Sequence, residues 1–342
     1  MKKNKNISPK TFSKIIGTCV LVLFLFFLFL SFEIYIPINP LSAERITYDL
    51  KKGKSVTSVS QDLEQLGLIR SSNFLKFYLA GSLKYANLKA GRYLLSPQMS
   101  AYQMTKKMVE GDTLKTKITI LEGWNLNMVA QYLDSLNICK PDEFMQIGLE
   151  DWSQDFDFLR EKPENINLEG YIFPDTYEFE ISKDCRDVIG SALNNFSRKL
   201  TPELRSAIQQ QNKSIFDIVV MASILEKEVR TFDDKKMVSG ILWKRLSVNM
   251  PLQIDATVNY VTGKNTSAVS LEETQIDSLY NTYKYKGLPA GPISNPGLDS
   301  IMAAIYPTKN DYWYFLTDGK TIFSKTLEEH NIAKVKYLKN GE

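Results

Sequence analysis

The pattern of apolar and polar positions along the chain changes twice. From Ile15 to Phe32 no residue is charged, and the core IIGTCVLVLFLFFLFLSF is almost wholly apolar. These 18 residues, extended past Glu33 by Ile34, Tyr35 and Ile36, are long enough to cross a hydrocarbon layer of about 30 Å as a slightly tilted helix. Pro37 and Pro40 then end the helix, since neither can continue it. A cleaved signal peptide is the competing reading. Its apolar core would run about 7–15 residues and end at a small-x-small site. Here the run is longer, and the next candidate, Leu41-Ser42-Ala43, has Leu where a small residue belongs. Length and flanks favour an uncleaved anchor over residues 15–36.

Residues 46–144 carry an internal repeat. Gly53, Val56, Val59, Leu63, Leu66, Leu68 and Phe74 recur 70 positions on as Gly123, Leu126, Val129, Leu133, Leu136, Ile138 and Phe144. Each copy reads as a short strand, ITYDL or KITIL, then a Gly turn and an amphipathic helix with apolar positions three and four apart. Equal spacing predicts equal geometry, and scaffolding is the preferred role of the second copy. In the first copy a second helix (Ser72 to Ala80) leads to a strand, Gly91 to Leu95. A third helix, Ser100 to Val109, opens on Ser100 as N-cap and closes at Gly111.

From Thr113 the texture changes to aromatics, Pro-Gly loops and polar clusters. Helices are predicted over Asp184–Leu200, over Pro202–Gln211 with Thr201 as N-cap, over Ile215–Val229 and over Asp233–Ser247. The aromatic run Tyr312 to Leu316, the turn Asp318-Gly319 and Thr321-Ile322-Phe323 predict a hairpin. A helix over Thr326–Leu338 follows. The fold class is therefore α+β, with one N-terminal membrane helix. Its expected parts are a tail (1–14), the anchor (15–36), a small domain (44–112) and a mixed α/β catalytic domain (113–342).

Composition narrows the function. At 342 residues, 44% hydrophobic and 24% charged, the chain is long enough for two or three ordinary globular units. The net charge of +3 is unevenly spread: Lys2, Lys3, Lys5, Lys10 and Lys14 precede the anchor with no acid among them. With those five set aside, the 42 basic residues fall to 37 against 39 acidic ones. A near-neutral body argues against nucleic acid as partner. The basic tail keeps the N-terminus cytoplasmic and places the body outside the cytoplasmic membrane. There is one His, His330, and Cys19, Cys139 and Cys185 form no close pair in sequence. No zinc-type ligand set is expected, and no metal or cofactor.

Without a Cys–His pair, a serine elbow or a phosphate loop, the catalytic vocabulary left is carboxylates and hydroxyls. The segment Asp217 to Val229 is too apolar for a surface, yet it contains Glu226 and Glu228 near its end. On a helical wheel Ile218, Met221, Ala222, Leu225 and Val229 share one face, with Glu228 on one shoulder and Glu226 on the other. Glu226 has Arg230 four residues on, an order that holds it ionised. Glu228 has Ile224 and Phe232 at those positions, and apolar surroundings make a carboxylic acid a usable proton donor near neutral pH. Glu228 is the preferred general acid and base, and Glu226 the alternative.

Three further clusters suit a sugar, which offers an apolar face and a ring of hydroxyls. They are LEGYIFPDTY (168–177), LQIDATV (252–258), which alternates like a strand or extended turn, and YNTY…GLPAGPISNPG (280–297). They supply Glu169, Asp175, Tyr177, Gln253, Asp255, Tyr280, Asn281 and Tyr283 as candidate substrate-binding residues. Read singly, each could be an ordinary loop.

Together with ASILEKE (222–228) and YWYFLTDGKTIFSKTLEEHN (312–331), these segments resemble the YceG-like family of endolytic murein transglycosylases, in that family's order and over nearly the whole chain. The β-α-α-β outline of residues 44–112 resembles a LysM-like module, which implies a glycan-contacting or positioning role. The family resemblance implies a membrane-anchored lyase that cuts the β-1,4 bond between N-acetylmuramic acid and N-acetylglucosamine inside nascent peptidoglycan strands. It leaves a 1,6-anhydro end and stops strand elongation. It implies peptidoglycan strands, the cytoplasmic membrane and wall-synthesis proteins as partners, and a catalytic glutamate in the E-x-E of ASILEKE. That glutamate is carried to Glu228. Ala256 and Ala290 stand where the family often has proline.

Such a lyase needs one acid, whereas a hydrolase needs a second carboxylate as nucleophile or water base. Glu169 and Asp175 are candidates for that second role, so an inverting hydrolase stays open, as does a non-enzymatic glycan-binding scaffold.

Overall fold

In the computed structural model of the chain the described residues are 9–81, 88–180, 184–264 and 269–337. Lys2, Lys3, Lys5 and Leu338 lie outside them. The described residues form helices and six strands, the strands in three two-stranded sheets. The chain divides into two compact units, Met1–Thr116 with Glu178–Ser182, and Lys117–Tyr177 with Lys183–Glu342.

The first unit begins with α1 (Pro9–Tyr35), whose stretch Gly17–Tyr35 has a mean hydropathy of 2.4 and is long and apolar enough to cross a membrane. The β-α-α-β order follows as β1 (Ile46–Leu50), α2 (Val56–Gln65), α3 (Ser72–Gly81) and β2 (Gly91–Leu95), then α4 (Ala101–Glu110). β1 and β2 pair antiparallel, with Tyr48 opposite Tyr93 and Leu50 opposite Gly91. Period-two alternation sends Tyr48, Leu50, Tyr93 and Leu95 into one core with Leu63 and Met104. Ile34, from the end of α1, is buried in the same core. α4 opens with the expected Ser100 cap, there a reciprocal box with Gln103, and closes on Gly111 in the left-handed region.

The second copy of the repeat keeps the local plan of the first. β3 (Lys115–Thr119) leads to α5 (Leu126–Ser135), 70 positions after α2, and to α6 (Pro141–Ile147). Ser55 and Asn125 cap the two helices by accepting an N–H three residues on. The same main-chain bond closes each helix, Leu68 to Leu63 in one copy and Ile138 to Leu133 in the other. Gly67 and Asn137 both take positive φ, 68° and 54°.

β4 (Thr176–Glu180) pairs with β3. α7 (Cys185–Lys199), α8 (Pro202–Gln210), α9 (Ile215–Glu228) and α10 (Phe232–Ser247) follow within a residue or two of expectation. The hairpin forms as β5 (Tyr314–Asp318) and β6 (Lys320–Ser324), and α13 (Leu327–Tyr337) ends the described chain.

Three features differ from the sequence reading. LQIDATV is not extended throughout: from Asp255 it becomes α11 (Asp255–Thr262). Its alternation is too short to define a strand, and Gln253, at φ 54°, turns the chain just before the helix. A further helix, α12 (Leu298–Ile305), follows the proline-rich loop and packs on α9. Lastly, Cys139 and Cys185 are paired after all. The packing of α6 on α7 brings them together as a disulfide with Cα atoms 5.2 Å apart, across 46 residues of sequence.

Candidate active site

α9 organises the site. Ser214 and Asp217 cap its start reciprocally, and every residue from Ile218 to Leu225 is buried. The two-shoulder wheel therefore does not describe it, because a helix apolar all round is surrounded on all sides. α8, α10, α11 and α12 pack against it. What separates the two glutamates is the element each one meets at the end of the helix.

Glu226 meets α10 and α12. Its carboxylate pairs with Lys235 Nζ at 3.1 Å, both side chains being almost fully buried. It also accepts the Gly297 N–H at 2.9 Å and the Ser300 hydroxyl at 2.7 Å. Gly297 is the N-cap of α12 and has no side chain of its own to offer, so Glu226 supplies the carboxylate that this helix start favours. A Cβ at Gly297 would lie 1.8 Å from Glu122 Oε1, so any larger residue there would have to displace the Glu122 carboxylate. Burial first, then Glu226, raises the Glu122 carboxyl above the usual range. The ion pair of Glu226 is thus with Lys235 rather than the expected Arg230, which is exposed.

Glu228 meets α11. It is half-buried and is the last residue of α9. Its carboxylate accepts the backbone N–H of Ala256, while burial and then the charge of Asp255 push its pKa up to about 7. Asp255, the first residue of α11, accepts a hydrogen bond from the Tyr283 hydroxyl. Burial and Asp255 together raise the Tyr283 phenol, keeping it a neutral donor. Tyr283 is oriented in turn by Asn281, whose Oδ1 accepts its N–H at 3.0 Å while Nδ2 donates to the Thr274 and Ile276 carbonyls. Thr282 fastens the same loop to α11, taking the Ile254 N–H at 2.9 Å. Glu228, Asp255 and Tyr283 are thereby brought together, with Gln253 exposed at the turn beside them.

The other candidates lie elsewhere. Glu169 is 2% exposed, and its oxygens accept the Leu126 N–H, the Tyr260 hydroxyl at 3.2 Å and Asn295 Nδ2 at 3.4 Å. It serves as an internal anchor at the start of α5. Tyr280 packs against Tyr260 with ring centroids 5.0 Å apart. Asp175 and Tyr177 form a separate cluster around Asn195, which donates to both at 2.9 and 3.2 Å. Burial pushes the Glu169 carboxyl up to about 8, outweighing its donors.

A carboxyl raised on folding stabilises most at low pH and loses that contribution as pH rises from about 4.5 to about 8. Glu169→Gln should flatten the fall in melting temperature between those limits, an effect on the order of a few kcal/mol. A melting curve with the same pH dependence in both proteins would contradict this.

Several working residues carried no separate signal in the sequence. Ser223, inside the apolar run of α9, accepts the Ile293 N–H at 3.0 Å, and Ser294 donates back to the Ser223 carbonyl at 3.1 Å. Asn295 exchanges main-chain bonds with Gly123 and Trp124, sewing the proline-rich loop to the turn of the second repeat copy. A lone serine among buried aliphatics is the one clue that was available. Among the described residues, Cys139, Glu143 and Cys185 are close enough to share a metal ion, but the two sulfurs are bonded to each other.

The model of the YceG-like family matches residues 48–336. The chain belongs to this family. It is 31% identical to the endolytic murein transglycosylase of Bacillus subtilis (strain 168) over 320 residues, covering 88% of this chain and 87% of that one. The endolytic murein transglycosylase of Streptococcus pneumoniae serotype 2 is 30% identical over 331 residues. There the match spans 87% of this chain and 60% of the relative. The crystal structure of a yceG-like protein from Listeria monocytogenes, 34% identical, aligns with a TM-score of 0.59 over 85% of this chain and 99% of that one. The family match includes both Glu226 and Glu228, so the choice between them rests on the geometry above.

Proposed function

We propose that this chain is a membrane-anchored peptidoglycan lytic transglycosylase in which Glu228 is the general acid and base. The observation that carries the reading is the setting of Glu228, a half-buried carboxyl raised to about 7 at the meeting of α9 and α11. Such a group holds a proton near neutral pH and releases it readily. The substrate is a glycan strand with alternating N-acetylmuramic acid and N-acetylglucosamine.

Glu228 first gives its proton to the glycosidic oxygen as the bond from that oxygen to C1 of the muramyl residue breaks. The resulting carboxylate then takes the proton of the C6 hydroxyl, whose oxygen bonds to C1 and closes the 1,6-anhydro ring. The proton count balances, and water takes no part. Asp255 and Tyr283 stand beside this carboxyl and, with Gln253, would contact the strand, and cleavage inside nascent strands would end their elongation.

The anchoring supports this assignment. The packing at the end of α1 supports a retained anchor: Ile34 is part of the first unit's core, and Arg70 donates to the Ile36 and Pro37 carbonyls at 2.8 and 2.7 Å. The Cys139–Cys185 disulfide suits an oxidising compartment outside the cytoplasm. Residues 44–112 would then act as the LysM-like accessory domain and 113–342 as the catalytic domain.

A second reading rests on Asp255, the carboxylate whose charge reaches Glu228: a hydrolase would use it to activate water. Incubating the full-length protein with uncross-linked glycan strands separates the readings. Anhydro-ended fragments are expected, reducing ends would favour the hydrolase, and intact strands would favour a binding scaffold.

A further inference from the structure

The end of α1 is surrounded by features that fix a level along it. Tyr35 packs against Tyr102 with centroids 5.3 Å apart and is hydrogen-bonded to Tyr78. Arg70 donates to the Ile36 and Pro37 carbonyls just past the helix and lies over the Phe32 ring at 4.6 Å. Tyrosines and a cation gathered at one end of an apolar helix are the composition of a membrane–water boundary.

α3 reaches below that level. Phe74 packs on Phe29 with centroids 5.2 Å apart, and Phe77 on Phe26 at 6.3 Å. Phe29 lies four residues and Phe26 seven residues before Glu33, the charged residue near the end of α1. At 1.5 Å per residue these positions are about 6 and 10 Å farther into the apolar stretch. Interfacial helices sink their apolar face by about 5–10 Å.

α3 is also apolar on more faces than its own unit uses. Leu75 and Leu79 fill the core at 1% exposure, yet Phe77, on the other side, is 58% exposed. A phenylalanine left open beside a membrane-crossing helix is covered by whatever surrounds that helix.

We propose that α3 is a membrane-interface helix whose Phe74–Phe77 face lies among the acyl chains of the leaflet nearest the body of the protein. The first unit is then seated in the lipid surface instead of hanging from it by a single helix. The inference rests on the reading that α1 spans a bilayer.

The test uses the full-length protein with Cys19→Ser, in phosphatidylcholine–phosphatidylglycerol vesicles. An environment-sensitive fluorophore is attached to Phe77→Cys, Phe24→Cys or Lys106→Cys, with the native disulfide left oxidised. Nitroxide-bearing lipids should remove most of the emission at positions 77 and 24, and aqueous iodide should quench only position 106. If position 24 responds to the lipids while position 77 responds to iodide, the inference fails and the anchor stands. Position 77 shielded from both quenchers would mean a protein partner covers it, which also overturns the inference. If position 24 is insensitive to the lipids, the anchor reading itself fails.

Discussion

Glu228→Gln should lower the rate of strand cleavage by about 10²–10⁴-fold, the usual contribution of general acid–base catalysis. The melting temperature should hardly change. The amide keeps the shape of the side chain and can still accept the Ala256 N–H that the carboxylate accepts now, but it has no proton to give. Removing a carboxyl whose ionised form is disfavoured by burial costs the fold little.

The pH profile follows from the same environment. With the pKa near 7, the proton-bearing form is lost as pH rises through that value, and cleavage by the native protein should fall with it. Asp255→Asn removes the charge that helps raise this pKa, so the falling limb should move to lower pH with cleavage retained. Abolished cleavage in Asp255→Asn would instead make Asp255 a direct participant, as a hydrolase requires. An unaltered rate in Glu228→Gln would remove Glu228 from the chemistry altogether.

Glu226→Gln should act on stability. A loose surface pair with Arg230 would be worth only about 0.3–0.5 kcal/mol. The structure replaces it with an enclosed pair, Glu226 9% and Lys235 5% exposed at the side chain. Breaking such a pair from one side leaves an uncompensated charge, at a cost of about 3–5 kcal/mol. Denaturant unfolding would measure it. Adding Lys235→Met should recover much of the loss, because the stranded ammonium is then gone. Cleavage measured well below the melting temperature should survive in Glu226→Gln. If cleavage disappears there with stability intact, Glu226 is the acid and Glu228 is not.

Local rules were legible in the sequence where local physics decides. Ser100, Thr201 and the Asp318-Gly319 turn set their elements without help from afar, and the repeat predicted α5 from α2 because caps and apolar spacing recur together. The site was less legible because it is made by contacts distant in sequence. Lys235 is nine residues from Glu226 and on another helix, and Gly297 and Ser300 come from 71 and 74 residues away. No periodicity encodes those partners. Glu169 and Asp175 looked alike as carboxylates in one motif. Only the chain path sends one inward to the start of α5 and the other outward to Asn195. Apolar neighbours along the helix are only part of what favours Glu228: α9 is buried on every side, and the like charge of Asp255 from α11 adds to burial in raising the carboxyl.

The most direct measurement is to digest peptidoglycan strands with the full-length protein in water labelled with heavy oxygen and weigh the products. Ring closure by the C6 hydroxyl predicts new ends lighter than a reducing end by one water, with no heavy oxygen incorporated. Reducing ends carrying one heavy oxygen each would contradict the account, because water would then have attacked where the hydroxyl is expected to close.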